Sequence, residues 1–103
     1  MGKEETERVR ERLKIYRALD NDYRLEILTK LMQNPDMSFN DLARSVGTER
    51  GLLAYHAAVL RHVGLIDWGY ERRKKKSSKY HITDKGVQIL KELNLIEKPI
   101  EAG

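Results

Sequence analysis

The side chains best suited to chemistry in this sequence form a basic run. The segment ERRKKKSSK, residues 71–79, holds six basic residues and one acidic residue in nine positions. The whole 103-residue chain has a formal net charge of +4, so this segment contributes +5 and the rest sums to −1. Such a cluster neutralises phosphates and releases counterions, which makes a polyanion the expected partner. The six basic residues are Arg72, Arg73, Lys74, Lys75, Lys76 and Lys79.

A second group of candidate binding residues falls on a predicted helix over residues 49–62. Its apolar residues Leu53, Ala57 and Leu60 are spaced to face a core, and the opposite face carries small residues between two arginines. Small side chains let a helix backbone approach a groove floor, while arginines reach phosphates or guanine edges. The alternative is an ordinary solvated helix face. The predicted DNA contacts here are Thr48, Arg50, Gly51, Ala54, Tyr55, His56 and Arg61. For Tyr55 the alternative is to cover the edge of the core, and for His56 it is a structural bond to a backbone group beneath the helix, which is slightly favoured.

The surrounding pattern predicts the helices that position these residues. An N-terminal helix spans 4–19, and a second helix begins after the capping group Asp20-Asn21-Asp22. Ser38 is placed to cap a third helix that ends at Gly47, and Thr48 is placed to cap the fourth. Two helices joined by a few residues around a glycine predict a helix-turn-helix over 39–63.

After Gly64 the hydrophobic period changes from that of a helix to that of a strand. Ile66, Trp68 and Tyr70 alternate with polar residues or glycine, and so do Tyr80 and Ile82 beyond the basic run. This predicts a β-hairpin over 65–83 with the basic run as its outer part, rather than a disordered solvated loop. The three aromatic residues of this segment are interpreted as packing, with a stacking platform for single-stranded nucleic acid as the alternative.

Both terminal helices carry apolar residues beyond those that a small core requires. Val9, Leu13 and Tyr16 form a narrow stripe on the N-terminal helix. The C-terminal helix, predicted over 84–97 and followed by a tail at 99–103, has two apolar rows. One row, Ile89, Leu93 and Ile96, joins the N-terminal stripe in a predicted dimerisation surface. We therefore expect one domain over 1–98 that forms a homodimer.

The motifs resemble those of a known family. RALDNDYRLEILTKL (17–31) and MSFNDLARSVGTERGLLAYHAAVLRHVGLID (37–67) are similar to ArsR-type repressors, and YHITDKGVQIL (80–90) resembles the closing strand and helix of ArsR- and MarR-type proteins. The resemblance covers about residues 17–90. It implies a mainly α winged helix-turn-helix fold, with a hairpin wing beside the DNA. His56 stands where the family usually has a histidine, while Ala57 replaces a usual leucine.

Several classes of function are excluded or disfavoured. The chain has no cysteine, and residues 84–97 contain no histidine, so the metal ligands of ArsR-type sensors are missing. No catalytic spacing or glycine-rich phosphate loop stands out, so we expect neither an enzyme nor a cofactor. No apolar run is long enough to span a bilayer, and the charged N-terminus lacks a signal-peptide pattern. We expect a cytoplasmic, nucleoid-associated protein with no membrane or metal partner.

The predicted function is that of a transcription regulator binding specific double-stranded DNA as a homodimer. Helix 49–62 would enter the major groove, and the basic wing 71–79 would contact the minor groove or backbone. Two alternatives stay open. Poor base-reading chemistry at Gly51 and Ala54 fits a sequence-tolerant architectural protein, and the same fold also serves in protein–protein interaction.

Overall fold

A computed structural model describes residues 2–71, 76–77 and 79–93. The helices are α1 (Lys3–Leu19), α2 (Asp22–Gln33), α3 (Phe39–Val46), α4 (Arg50–His62) and α5 (Asp84–Glu92). The strands β1 (Ile66–Asp67), β2 (Tyr70–Glu71), β3 (Lys76–Ser77) and β4 (His81–Ile82) lie between α4 and α5. This order confirms the predicted mainly α winged helix-turn-helix. In the described residues, no helix combines the length and apolar character that crossing a membrane requires.

Local hydrogen bonds fix where most helices begin. Asn21 Oδ1 accepts from the Arg24 amide at 3.1 Å, and Ser38 Oγ accepts from the Asp41 amide at 3.0 Å. Each satisfies one of the amides that a helix start leaves unpaired. The prediction that Thr48 caps α4 was wrong: Glu49 is the N-cap, and it makes no side-chain capping bond. Two residues before it, Gly47 ends α3 at φ 76°, a left-handed conformation that favours glycine.

The wing is an antiparallel hairpin built from two short pairs. Near its base, Ile66 pairs with Ile82, and farther out Glu71 pairs with Lys76. Strand pairing therefore continues into the basic run, while residues 72–75 and 78 lie outside the described part. Met37 adds a bridge at the base, since its amide and carbonyl both bond to Tyr80, at 3.2 and 2.8 Å. This bridge attaches the segment before α3 to the wing.

One hydrophobic core joins all five helices to the base of the wing. Its fully buried members include Ile27, Leu28, Leu31, Leu42, Leu53, Leu60, Leu65, Ile66, Ile89 and Leu90. Burying each such side chain contributes about 1.5–3 kcal/mol. At Gly86, an added Cβ would lie 2.4 Å from the Leu65 carbonyl oxygen and 2.6 Å from Ile82 Cγ1. Glycine there allows α5 to pack closely on the wing.

The C-terminal helix is shorter in the described residues than the sequence pattern predicts. α5 ends at Glu92 with Leu93 as its C-cap. The predicted end at 97, Ile96 of the predicted dimer surface and the tail 99–103 all fall outside the described residues.

Candidate nucleic-acid interface

Helix α4 has one buried face and one open face, as its spacing predicted. Leu53, Ala57 and Leu60 are at most 1% exposed. The opposite side presents Arg50, Gly51, Ala54, Tyr55, Ala58 and Arg61 to solvent. A Cβ added at Gly51 would meet little: apart from the surrounding helix backbone, its nearest neighbour would be Glu49 Oε1 at 3.8 Å. The middle of α4 therefore carries small side chains, so another molecule can approach the helix backbone closely there.

Arg50, at the start of α4, is held by the preceding helix. Its guanidinium donates a hydrogen bond to Asn40 Oδ1 and lies 5.2 Å from the centre of the Phe39 ring. Thr48, in the turn before it, is partly buried. These contacts hold the first turn of α4 against α3. They also occupy part of the hydrogen-bonding capacity of the Arg50 guanidinium, which the sequence analysis predicted to contact DNA.

Arg61, near the end of α4, is held by the wing. Its Nε lies 3.0 Å from Asp67 Oδ1, its Nη2 donates to the Trp68 carbonyl at 3.0 Å, and its guanidinium lies 4.3 Å from the Trp68 ring centre. Stacked cation–π contacts of this kind contribute about 0.5–1 kcal/mol at exposed sites. Arg61 therefore couples the orientation of the wing to that of α4.

The aromatic residues of the wing continue this contact. The Trp68 and Tyr80 rings stack at 4.6 Å with an interplanar angle of 22°, and Tyr80 approaches Phe39 at 6.0 Å. Arg50, Phe39, Tyr80, Trp68 and Arg61 thus form a continuous series, which we call the aromatic ladder. It connects both ends of α4 through the wing base. Trp68 and Tyr80 serve as packing here, the interpretation that the sequence favoured.

His56 lies in the core, which corrects its assignment to the DNA-binding set. It is 6% exposed, and its Nδ1 accepts a hydrogen bond from Arg24 Nε at 3.1 Å. Burial lowers the pKa of His56 from its usual value, and the positive charge of Arg24 lowers it further. Both effects favour the neutral imidazole that can accept this bond. Its role is to join α4 to α2.

Tyr55 is the largest exposed side chain of the α4 face. It is 57% exposed, and the Arg24 guanidinium lies 5.8 Å from its ring centre. The hydroxyl of a tyrosine held in this way can reach a base edge, a sugar or a phosphate.

The described basic residues of the wing, Lys76 and Lys79, both belong to its returning arm, which comprises β3 and β4. Lys79 is exposed, and Lys76 lies in β3 opposite Glu71. Arg72, Arg73, Lys74 and Lys75 lie outside the described residues. The residues that flank this segment, Glu71 and Lys76, are paired with each other across the hairpin.

A partly apolar face on α1 and α5 carries most of the predicted dimer residues. Val9, Leu13, Tyr16 and Leu93 are between 36% and 47% exposed. Leu13, Tyr16 and Leu93 border a groove of about 580 Å³, which also contacts Leu25 of α2. Arg12 pairs with Glu92, to which the Tyr16 hydroxyl donates at 3.3 Å, so α1 and α5 are joined beside the groove.

Ile89 does not contribute to this face, contrary to the sequence assignment. Its side chain is 1% exposed and belongs to the core of the single chain. As for metals, the described residues contain no group of three or more potential ligands among His, Cys, Asp and Glu.

Comparison with known proteins identifies the helix-turn-helix. Residues 21–67 match the family model of bacterial regulatory proteins of the arsR family. This match spans α2, α3, α4 and β1, and it confirms the resemblance drawn from the sequence. No curated protein sequence matches the chain significantly.

Solved structures share the fold over most of the chain. The homodimeric winged helix-turn-helix DNA-binding domain of Mb0332 from Mycobacterium bovis, a possible ArsR-family transcriptional regulator, has a TM-score of 0.78 at 18% identity, covering 93% of this chain and 86% of that one. NolR from Sinorhizobium fredii has a TM-score of 0.76 at 26% identity, with 93% of each chain covered. HlyU from Vibrio cholerae has a TM-score of 0.69 at 23% identity, covering 91% of this chain and 95% of that one.

Proposed function

We propose that this chain, which carries an ArsR-type helix-turn-helix over residues 21–67, is a transcription regulator that binds specific double-stranded DNA as a homodimer. The observation that carries the proposal is the low, exposed face of α4 beside a wing with a basic outer segment. A helix fits the major groove of B-DNA, and Gly51, Ala54 and Ala58 leave its backbone free to approach the base edges. Arg50 and Tyr55 supply the side chains that distinguish sequences.

The wing supplies affinity that does not depend on sequence. Residues 71–79 carry a net charge of +5, and the pairing of β2 with β3 within this run supports the proposal that the wing contacts the DNA that flanks the occupied major groove. Each phosphate that a basic side chain neutralises steepens the log–log dependence of affinity on salt by about 0.9. An arginine at the tip would also fit a narrow minor groove.

The exposed face of α1 and α5 supports the dimer. Unpaired apolar side chains there lose contact with water if a second copy covers them, and the related Mb0332 domain is homodimeric. A two-fold dimer places two copies of α4 on the same side of the duplex. We therefore expect half-sites separated by about one helical turn, roughly 34–36 Å. A regulator of this kind would act in the cytoplasm, on the nucleoid.

Selection of bound duplexes from a random pool tests the proposal directly. The expected result is an enriched inverted repeat whose half-site spacing matches one helical turn. Arg50→Gln should change or relax the enriched sequence, while Arg8→Gln, on the exposed side of α1, should not. Failure to bind any duplex at low salt by a chain with intact helical structure would refute DNA binding and favour a protein-interaction module.

A specific observation also favours a second candidate, a sequence-tolerant architectural DNA-binding protein. Both arginines of the α4 face make contacts within the chain, Arg50 with Asn40 and Arg61 with Asp67. Between them the face has little hydrogen-bonding capacity, whereas the wing charge binds any duplex. Similar affinity for the selected and scrambled duplexes at physiological salt would favour this candidate, because specific regulators discriminate by about a thousandfold or more.

A further inference from the structure

Glu49, the residue that precedes α4, is a candidate DNA contact that helical spacing alone does not identify. It is exposed, and its Oε1 would lie 3.8 Å from a Cβ added at Gly51, so its carboxylate lies beside the open face of α4. We propose that Glu49 is a specificity-determining residue that accepts a hydrogen bond from the exocyclic amino group of a cytosine. The inference rests on the proposed function, because it requires α4 to occupy the major groove.

The folded chain makes little use of the Glu49 side chain. Glu49 is the N-cap of α4, yet its carboxylate makes no capping bond, and glutamate is not among the residues preferred at this position. It belongs to none of the ion pairs found among the described residues. The neighbouring Arg50 guanidinium contacts Asn40 and the Phe39 ring instead. An acid near a helix start interacts favourably with the helix dipole, but this interaction leaves both carboxylate oxygens available to a partner.

The position of Glu49 at the start of α4 would bring it close to the bases in the proposed complex. In helix-turn-helix proteins, the N-terminal residues of the reading helix contact base edges. Gly51 has no side chain and Ala54 has a single methyl group, so neither keeps this end of the helix away from the groove floor. The longer side chain of Glu49 can therefore reach a base edge.

The charge of Glu49 determines which chemical group it can contact. A carboxylate has only acceptors and is repelled by phosphates, so its favourable partners in the major groove are the amino groups of cytosine and adenine. On adenine, the N7 acceptor lies beside the amino group and would repel a carboxylate. Cytosine presents its N4 amino group with no acceptor on its own edge. The carboxylate therefore favours cytosine.

This role predicts two effects of opposite sign when the carboxylate is removed. Glu49→Ala should bind scrambled duplexes more tightly at low salt, because one negative charge near the phosphates is lost. The same variant should lose its preference for one C·G pair in each half-site. A glutamate that only repels phosphates would produce the first effect without the second.

Parallel selections of bound duplexes from a random pool, with the full wild-type chain and with Glu49→Ala, identify this base pair. Affinity is then measured for the selected duplex and for one in which that cytosine is replaced by 2-pyrimidinone, which lacks the amino group. The wild-type chain should lose about tenfold in affinity, as for one hydrogen bond to a charged group, whereas Glu49→Ala should bind both duplexes equally. Because this change is made in the DNA, it cannot unfold the protein.

Asp84→Ala is the matched control, because it also removes an exposed acid at the start of a helix, but on α5. It should respond to the missing amino group as the wild-type chain does. Equal losses in the wild-type chain and Glu49→Ala would overturn the inference, and so would the same enriched sequence in both selections. In either case duplex binding persists, so the proposed function stands. Failure of the wild-type chain to bind any duplex at low salt would overturn both.

Discussion

The dimer offers the most quantitative prediction, and Leu13 is the position at which to test it. Leu13 lies at the middle of the apolar stripe on α1, beside the groove that α1, α2 and α5 form, and 47% of it is exposed in the single chain. Leu13→Asn removes apolar surface at this position without adding a charge. Its neighbours on the stripe, Val9 and Tyr16, stay unchanged.

The exposed fraction of Leu13 allows an estimate of how much dimerisation free energy Leu13→Asn removes. Full burial of a leucine contributes about 1.5–3 kcal/mol, so covering its exposed half in a dimer contributes about 1 kcal/mol. An asparagine buried without partners adds about 1–3 kcal/mol. Two-fold symmetry places the substitution in the interface twice, so dimerisation should weaken by about 4–8 kcal/mol. This corresponds to a dissociation constant at least about a thousandfold higher.

Sedimentation equilibrium over a wide range of protein concentration measures this change, and circular dichroism checks that the helices persist. Leu52→Asn is the matched control, because Leu52 is also helical and 43% exposed but lies on α4, away from the groove. We expect the control to dimerise like the wild-type chain.

Two results would refute the argument for this dimer face. One is a dissociation constant for Leu13→Asn within about threefold of the wild-type value, a change of less than about 0.7 kcal/mol. The other is equal weakening by Leu52→Asn, which would place the interface on α4.

Three further predictions concern the wing, the aromatic ladder and His56. Replacing residues 72–76 by serine should weaken binding to every duplex and flatten the salt slope by about 0.9 per lost contact; an unchanged slope would contradict a wing–phosphate contact. Trp68→Leu, which removes a stack and a cation–π contact, should lower the free energy of unfolding in urea by about 1–3 kcal/mol; no loss would contradict the ladder. The free energy of unfolding should fall as pH drops below about 6.5, because the pKa of His56 is lower in the folded chain and the unfolded chain therefore binds the proton at a higher pH. His56→Gln should reduce this fall. The same pH profile in the variant and the wild-type chain would contradict the buried, neutral state of His56.

The elements could be predicted from the sequence because short-range contacts determine them. The caps at Asn21 and Ser38 bond to amides three residues away, and Gly47 needs only its own backbone freedom. The change of period after Gly64 likewise identifies the wing from a few residues. The two faces of α4 follow from helical spacing alone.

Contacts between distant segments could not be predicted in this way. The bond from Arg24 to His56 joins residues 32 positions apart, and no local pattern distinguishes a buried histidine from one that faces DNA. The bridge between Met37 and Tyr80 depends on how the third helix meets the wing. Ile89 was misplaced for a related reason: the apolar rows of a helix show that two faces exist, but not which of them the core covers.

If α4 binds DNA as proposed, the internal contacts of Arg50 and Arg61 limit how strongly it can discriminate sequences. To bind a base or phosphate, Arg50 must give up Asn40 and the Phe39 ring, and Arg61 must give up Asp67 and the Trp68 ring. A bidentate contact with the right base is worth about 1–3 kcal/mol, and the lost contacts are subtracted from it. In the proposed complex, the wing segment would gain its affinity from phosphates of any sequence. Discrimination between DNA sequences would therefore depend on whether each arginine can contact DNA while keeping its contacts in the aromatic ladder. Arg61 has less freedom to move than Arg50, because three contacts hold it.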